Sequence, residues 1–164
     1  MKRLLITLFI LLTINAYAEI MPTINYVSEK TGIANWLLLS VAKVESNLKP
    51  YALNVAGKSY FPDSRAEAEE IINKAIDDGK SFDVGLMQIN NWWFKRYELH
   101  PAEGLDLKTN IYLGAHILRY ELQRNGYEWA SIGQYHSKVA WRAEDYAEKV
   151  AHYARYYRKI LEKE

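Results

Sequence analysis

Asn35-Trp36-Leu37-Leu38-Leu39-Ser40-Val41-Ala42-Lys43-Val44-Glu45-Ser46 is the stretch that decides how this chain folds. It opens on Asn35, a residue type that caps helix N-termini, and runs through Trp36, Leu37, Leu38, Leu39, Val41, Ala42 and Val44 almost without a polar break. A helix apolar on nearly every side must be buried inside a protein rather than laid on its surface. The pattern therefore predicts a central helix with the rest of the chain packed around it.

Outward from that helix the signals are mostly helical. A short helix is expected over Thr23 to Lys30, stopping at Gly32, a residue type that accepts the left-handed cap. Lys49 to Pro62 is turn-rich, with Pro50, Asn54, Gly57 and Pro62, and has room for a small hairpin. Ser64-Arg65-Ala66-Glu67 has capping-box spacing and predicts a helix to about Asp78, closed by Gly79. Phe82 to Asn90 reads as extended or looped, and Asn91 to Tyr97 as a short aromatic helix. Leu107, Ile111, Gly114, Ala115, Leu118 and Leu122 share a face, which predicts a core helix from Leu107 to Asn125 closed by Gly126. A last helix from about Arg142 to Leu161 carries Tyr146, Val150, Tyr153, Tyr157 and Ile160 on one stripe. The expected fold class is mainly α, a helical domain with little or no sheet.

At 164 residues and 49% hydrophobic content the chain is long enough for one domain with a real core. Thirteen Tyr and 5 Trp against 4 Phe favour rings with a polar edge, which suit a sugar-binding groove and, more commonly, an ordinary core. Lys2 and Arg3, the apolar run Leu4 to Ile14 and Ala16-Tyr17-Ala18 read as a signal peptide over residues 1–18. The apolar run falls well short of the roughly 20 residues that span a bilayer. Export to the periplasm or cell wall is expected, with no stable membrane anchor after cleavage and residues 19–164 forming one domain. Loss of Lys2 and Arg3 leaves that domain near neutral, so nucleic acid is not an expected partner. The absence of cysteine removes disulfides and thiol catalysis. His100, His116, His136 and His152 lack metal-site spacing and no phosphate-binding glycine loop is present, so neither a metal nor a cofactor is expected.

Glu45 resists a purely structural account. It follows Ala42 by three residues and Leu38 by seven, so it shares a face with them at the C-terminal end of the most apolar helix. Two effects raise its pKa. The helix dipole supplies about 0.3 to 1 kcal/mol, under one pKa unit, whereas desolvation of a buried carboxyl shifts it by several units. Burial is therefore expected to dominate and to leave a carboxylic acid able to donate near neutral pH, as glycoside cleavage requires. From position alone, a carboxyl at a water-facing helix end is an equal reading.

Two further clusters bear on the choice. Gly85-Leu86-Met87-Gln88-Ile89-Asn90 joins a flexible glycine to two carboxamides, which donate and accept as the hydroxyl and N-acetyl groups of an amino sugar demand. In Ile132-Gly133-Gln134-Tyr135-His136-Ser137 a tyrosine hydroxyl near a helix end is placed to hold a carboxylate. Glu45-Ser46 on an apolar helix, the Gly85 to Asn90 motif some forty residues later and a downstream Tyr together resemble the soluble lytic transglycosylase catalytic domain, over nearly the whole chain after the signal peptide. Small size and a signal peptide are most similar to members that accompany secretion, pilus or conjugation machines.

The resemblance implies a lysozyme-like fold with a groove for peptidoglycan glycan strands. Glu45 would be the catalytic acid and base. It would cleave the bond between N-acetylmuramic acid and N-acetylglucosamine and leave a 1,6-anhydromuramic end. Ser46 and Tyr135 would orient Glu45, while Gly85, Met87, Gln88 and Asn90 would line the groove and bind sugar, with no metal or cofactor. His136 stands where many relatives carry Asn, and reads as a helix cap ahead of a substrate contact. Residues 51–83 look like an insertion, either a groove wall or a solvated spacer. A hydrolytic lysozyme would need a second carboxylate, for which Asp83 is the candidate against an ordinary turn aspartate. A non-catalytic peptidoglycan-binding assembly factor is the third reading.

Overall fold

The computed structural model describes residues 18–162, so the expected signal peptide, all but Ala18, lies outside the described residues. Helix α1 spans 18–31, earlier than its expected start at Thr23, because Ile20 continues the buried stripe of Ile24 and Val27 by one turn. Gly32, at φ +71°, ends it. Helix α2 is Asn35–Ser46, the central element, with Leu37, Leu38, Leu39, Ser40, Val41 and Ala42 buried in sequence. Full burial of Leu38, Leu39 and Val41, at about 1.5–3 kcal/mol each, holds it there. The buried Ser40 hydroxyl donates to the Trp36 carbonyl, so no polar group is stranded. Asn35 is not the cap: Ala34 holds that position, and the Asn35 amide donates to Asn25 Oδ1 at 3.0 Å, tying α2 to α1. The helix stops at Asn47 and Leu48, both left-handed, so Glu45 rides its last turn.

The turn-rich segment folds into a hairpin of β1 (Leu53–Val55) and β2 (Lys58–Tyr60). Ala56 and Gly57 both take positive φ, as a two-residue turn matched to strand twist requires, and Asn54 Oδ1 accepts from Gly57 N. Helix α3 (Arg65–Asp77) starts at Ser64, whose side chain accepts from Glu67 N. The reciprocal half of the expected box is displaced by one residue, since the Glu67 carboxylate accepts from Asp63 N. Strands β3 (Phe82–Val84) and β4 (Ile89–Asn90) complete an antiparallel sheet of order β2-β1-β3-β4. Helix α4 (Asn91–Arg96), a 3-10 turn at Pro101–Leu105 and helix α5 (Leu107–Asn125) follow. Helix α6 (Trp129–His136) was not separately expected, and α7 (Ala140–Leu161) closes the fold. The buried stripe of α7 runs through Tyr146, Val150 and Tyr157, whereas Ile160 is exposed and the stripe ends a turn early.

The domain is mainly α with this one small sheet, the lysozyme-like arrangement. Its core joins Leu38 and Val41 of α2, Ile111 and Leu118 of α5, Val84 and Ile89 of the sheet, and Tyr146 and Val150 of α7. At Gly133, α6 approaches α7 so closely that a side chain would collide with the Ala143 backbone. No helix among the described residues is long and apolar enough to cross a membrane.

Candidate active site

Strand register builds one wall of the site. Asn54 pairs with Ser59 on β2 and with Asp83 on β3, and Asp83 pairs with Asn90 on β4. Directly paired residues lie on the same face of a sheet, so Ser59, Asn54, Asp83 and Asn90 form one polar row. The flanking row, Leu53, Val84 and Ile89, is buried in the core. The polar row faces a groove of about 620 Å³ whose other walls come from Glu45 on α2, Tyr135 and His136 on α6, and Asp145, Tyr146 and Lys149 on α7. Of the 51–83 segment, the hairpin therefore shapes the groove, while α3 does not line it.

Glu45 opens into this groove with its side chain only 10% exposed. Burial pushes its pKa from 4.5 up to about 8. The Tyr146 hydroxyl pulls it down, and the negative charge of Asp83 adds to the rise. The Tyr146 hydroxyl is itself buried without a partner in closed hydrogen-bond geometry, so it acts on Glu45 as a donor waiting nearby and not as a bond already made. Two rings lie near-parallel to its own: the His136 imidazole stacks on it at 4.8 Å and 2°, and Tyr135 at 6.4 Å and 18°. His136 Nδ1 lies 4.0 Å from Glu45 Oε1, with the imidazole half exposed to the groove. Burial lowers the His136 pKa. Asp83 opposes that shift, Lys149 and Arg142 add to it, and Asp145 opposes it. At neutral pH both partners are thus uncharged, and their contact is not an ion pair. His136 faces the groove and is not the helix cap expected of it.

Asp83, on the opposite wall, has a raised pKa from burial, countered by a hydrogen bond from Asn90 and by His136. Asn90 Nδ2 donates to Asp83 Oδ1 at 2.8 Å, and Asn90 Oδ1 accepts from Trp92 N as the cap of α4. Asn90 lines the groove, yet its polar atoms are already engaged by the protein. Gln88 likewise spends its amide hydrogens on the carbonyls of Ala52 (2.9 Å) and Gly85 (2.8 Å), so only its acceptor oxygen remains for a ligand. Gln88 sits at φ +46°, a conformation costing about 1–2 kcal/mol for a residue with a side chain, and Gly85 at +80°. The motif loop is therefore held in a tight, costly turn.

Four residues make other contacts than those expected of them. Met87 is fully buried, packed against Gly114, and does not reach the groove. Gly85 does not line it either: it is a close-approach glycine, where a Cβ would collide with Asn110 and the Gly104 carbonyl. Ser46 is buried and donates to the Ala42 carbonyl, while Tyr135 donates to the Met87 carbonyl at 2.8 Å. Neither hydroxyl is bonded to Glu45. Tyr135 instead fixes the motif loop against α6, and the group beside the carboxyl is Tyr146.

Two residues escaped the sequence reading. Tyr146 sits on the buried stripe of α7 and was indistinguishable from a core tyrosine. Asn110 lies on the buried face of α5 between Leu107 and Gly114, and a carboxamide on an apolar stripe was the available signal. Its Oδ1 accepts from Met87 N at 2.7 Å and its Nδ2 donates to the carbonyls of Val84 and Gly104, so it clamps the motif loop from behind.

Residues 22–152 match the family model described as Transglycosylase SLT domain. The chain is similar to Protein virB1 of Rhizobium radiobacter and of Agrobacterium tumefaciens, each 32% identical over 89 residues, which are 53% of this chain and 37% of the relative. Protein virB1 of Agrobacterium fabrum is 32% identical over 88 residues, 52% of this chain and 36% of the relative. The chain spans little more than a third of the length of these curated relatives. No solved structure matches it.

Proposed function

Because the chain belongs to the transglycosylase SLT domain family, we propose that it is a peptidoglycan lytic transglycosylase in which Glu45 serves first as acid and then as base. The observation that carries this reading is a carboxyl nearly closed off from water, with a pKa of about 8, at the edge of an open polar groove. Below that pH Glu45 holds a proton. It gives that proton to the glycosidic oxygen between N-acetylmuramic acid and N-acetylglucosamine as the bond from the muramic C1 breaks. The resulting carboxylate removes the proton of the same sugar's C6 hydroxyl, whose oxygen closes on C1. The 1,6-anhydromuramic end forms, Glu45 is protonated again, and no water is consumed. The Tyr146 hydroxyl donates to the carboxylate during its brief life, and Gln88 Oε1 accepts from the sugar. The signal-peptide pattern of residues 1–18 and the small size of the domain support a place in the periplasm beside an envelope-spanning secretion, pilus or conjugation machine.

Hydrolysis is the second reading, favoured by Asp83 standing across the same groove and electrostatically coupled to Glu45. Mass analysis of products from purified cell wall separates the two. Anhydromuramic ends that disappear in Glu45→Gln, with a loss of about 10²- to 10⁴-fold, support transglycosylation. Reducing muramic ends alone point to hydrolysis, and undiminished cleavage by Glu45→Gln removes both.

A further inference from the structure

Beyond the groove, four aromatic rings run outward over α4 and α5. Trp93 lines the groove beside Ile89 and Ile117. Tyr97 stacks on Trp93 at 6.0 Å and 16°, while Trp92 and Tyr120 meet it edge-on at 4.8 and 6.3 Å. Tyr120 follows Ile117 by three residues on α5, so the rings continue the groove wall without a gap in the helix surface. Trp92 is 54% exposed, and Tyr97 and Tyr120 are exposed too. Leaving such rings in water forgoes their burial, and a contiguous patch of this kind marks a binding surface more often than chance.

We infer that Trp93, Tyr97, Trp92 and Tyr120 form an outlying platform on which further pyranose rings of the glycan strand stack when the scissile bond lies at Glu45. The inference rests on the transglycosylase reading and adds to it the length of substrate the enzyme prefers. Continuity with the groove selects the occupant: a strand threaded past Trp93 meets the other three rings next. The chemistry agrees, because the C–H face of a pyranose is apolar while its rim is hydroxylated, and Trp and Tyr offer an apolar face with a polar edge. The platform is also pre-formed. The Arg96 guanidinium lies 5.4 Å over the Trp92 ring, and Arg124 lies 6.0 Å from the Tyr120 ring and donates to its hydroxyl at 3.1 Å. Rings already held by cations lose little freedom on binding, so more of each contact appears as affinity.

The test compares purified long glycan strands with a fragment of two disaccharide repeats, using the wild-type chain, Trp92→Ala, Tyr120→Ala and the pair. Each single change is expected to lower kcat/KM on long strands about five- to tenfold, with a smaller effect on the fragment, so that the wild-type preference for length collapses in the pair. Tyr127→Ala, an exposed aromatic outside the platform, is the control and should keep that preference. Co-sedimentation of Glu45→Gln with long strands, with and without Trp92→Ala, reads the same contacts without turnover. Unchanged long-strand kinetics and binding in the pair would overturn the platform and leave the rings for a protein partner, while the transglycosylase reading stands. Failure of the wild-type chain to cleave either substrate defeats the transglycosylase reading itself. Equal loss on both substrates also overturns the platform, since it points to a change near Glu45.

Discussion

Replacing Glu45 with Gln should stabilise the protein, and by an amount that depends on pH. In the folded state the Glu45 carboxyl holds its proton up to about pH 8, whereas the unfolded chain releases it near 4.5. Between those values the native state binds the extra proton, so stability falls as pH rises through the interval. Below 4.5 both states are protonated and the penalty is absent. Above 8 it is complete, at 1.36 kcal/mol per unit an upper bound of about 5 kcal/mol. Gln keeps the size and never ionises, so Glu45→Gln escapes the penalty. A domain of this size shifts by about 2–4 °C per kcal/mol, which puts the variant above the wild type by at most about 10–20 °C at pH 8.5 and nearly level with it at pH 4.5. Calorimetric melting of both proteins at the two pH values checks this. The difference cancels every titrating group not coupled to Glu45 and leaves Asp83 as the main neighbour that is. A melting difference of the same size at both pH values would refute the reasoning, because it would mean that the carboxyl titrates alike in the folded and unfolded chain.

Tyr146→Phe removes the one group that lowers the Glu45 pKa. The alkaline limb of the pH–rate profile should move upward and kcat fall about tenfold, from loss of a donor to the transient carboxylate; an unmoved limb contradicts the assignment. Asn110→Ala strands Met87 N and the carbonyls of Val84 and Gly104, and urea unfolding should show a loss of about 3–5 kcal/mol. A loss below 1 kcal/mol would mean that the motif loop does not need its clamp. Gly133→Ala drives a methyl into the Ala143 backbone and should cost about 1–3 kcal/mol by the same measurement, with α6 and its His136 displaced from the groove.

Much of the fold was legible because its signals were local. The apolar run of α2, the Ser64 cap of α3 and the paired ends Leu107 and Gly126 of α5 each state an element within a few residues. Helix spacing left Glu45 equally readable as buried or water-facing, and the Gly85 to Asn90 and Tyr135 clusters tipped the reading towards burial. What stayed hidden depended on register between distant segments. Nothing near Asp83 says that it pairs with Asn54 and Asn90 to form a polar row, since that follows from how three short strands align. The sequence does not say which acceptor the Tyr135 hydroxyl takes, and only the packing of α6 against the motif loop assigns it to the Met87 carbonyl. Tyr146 lies on the buried stripe of α7 like any core tyrosine, and only the packing of α7 against α2 brings it beside the Glu45 carboxyl. Met87 sits inside a motif whose neighbours Gln88 and Asn90 line the groove, yet its own side chain packs against Gly114 in the core.

A dry acid at the edge of a sugar-sized groove underlies both the chemistry and the stability argument, and its titration can be observed directly. The side-chain carboxyl carbon of Glu45 in the folded protein, followed by carbon-13 NMR from pH 4 to 9.5 and assigned through Glu45→Gln, should show its midpoint near 8. A midpoint close to 4.5 would contradict the account, because Glu45 would then be ionised at neutral pH with no proton to give.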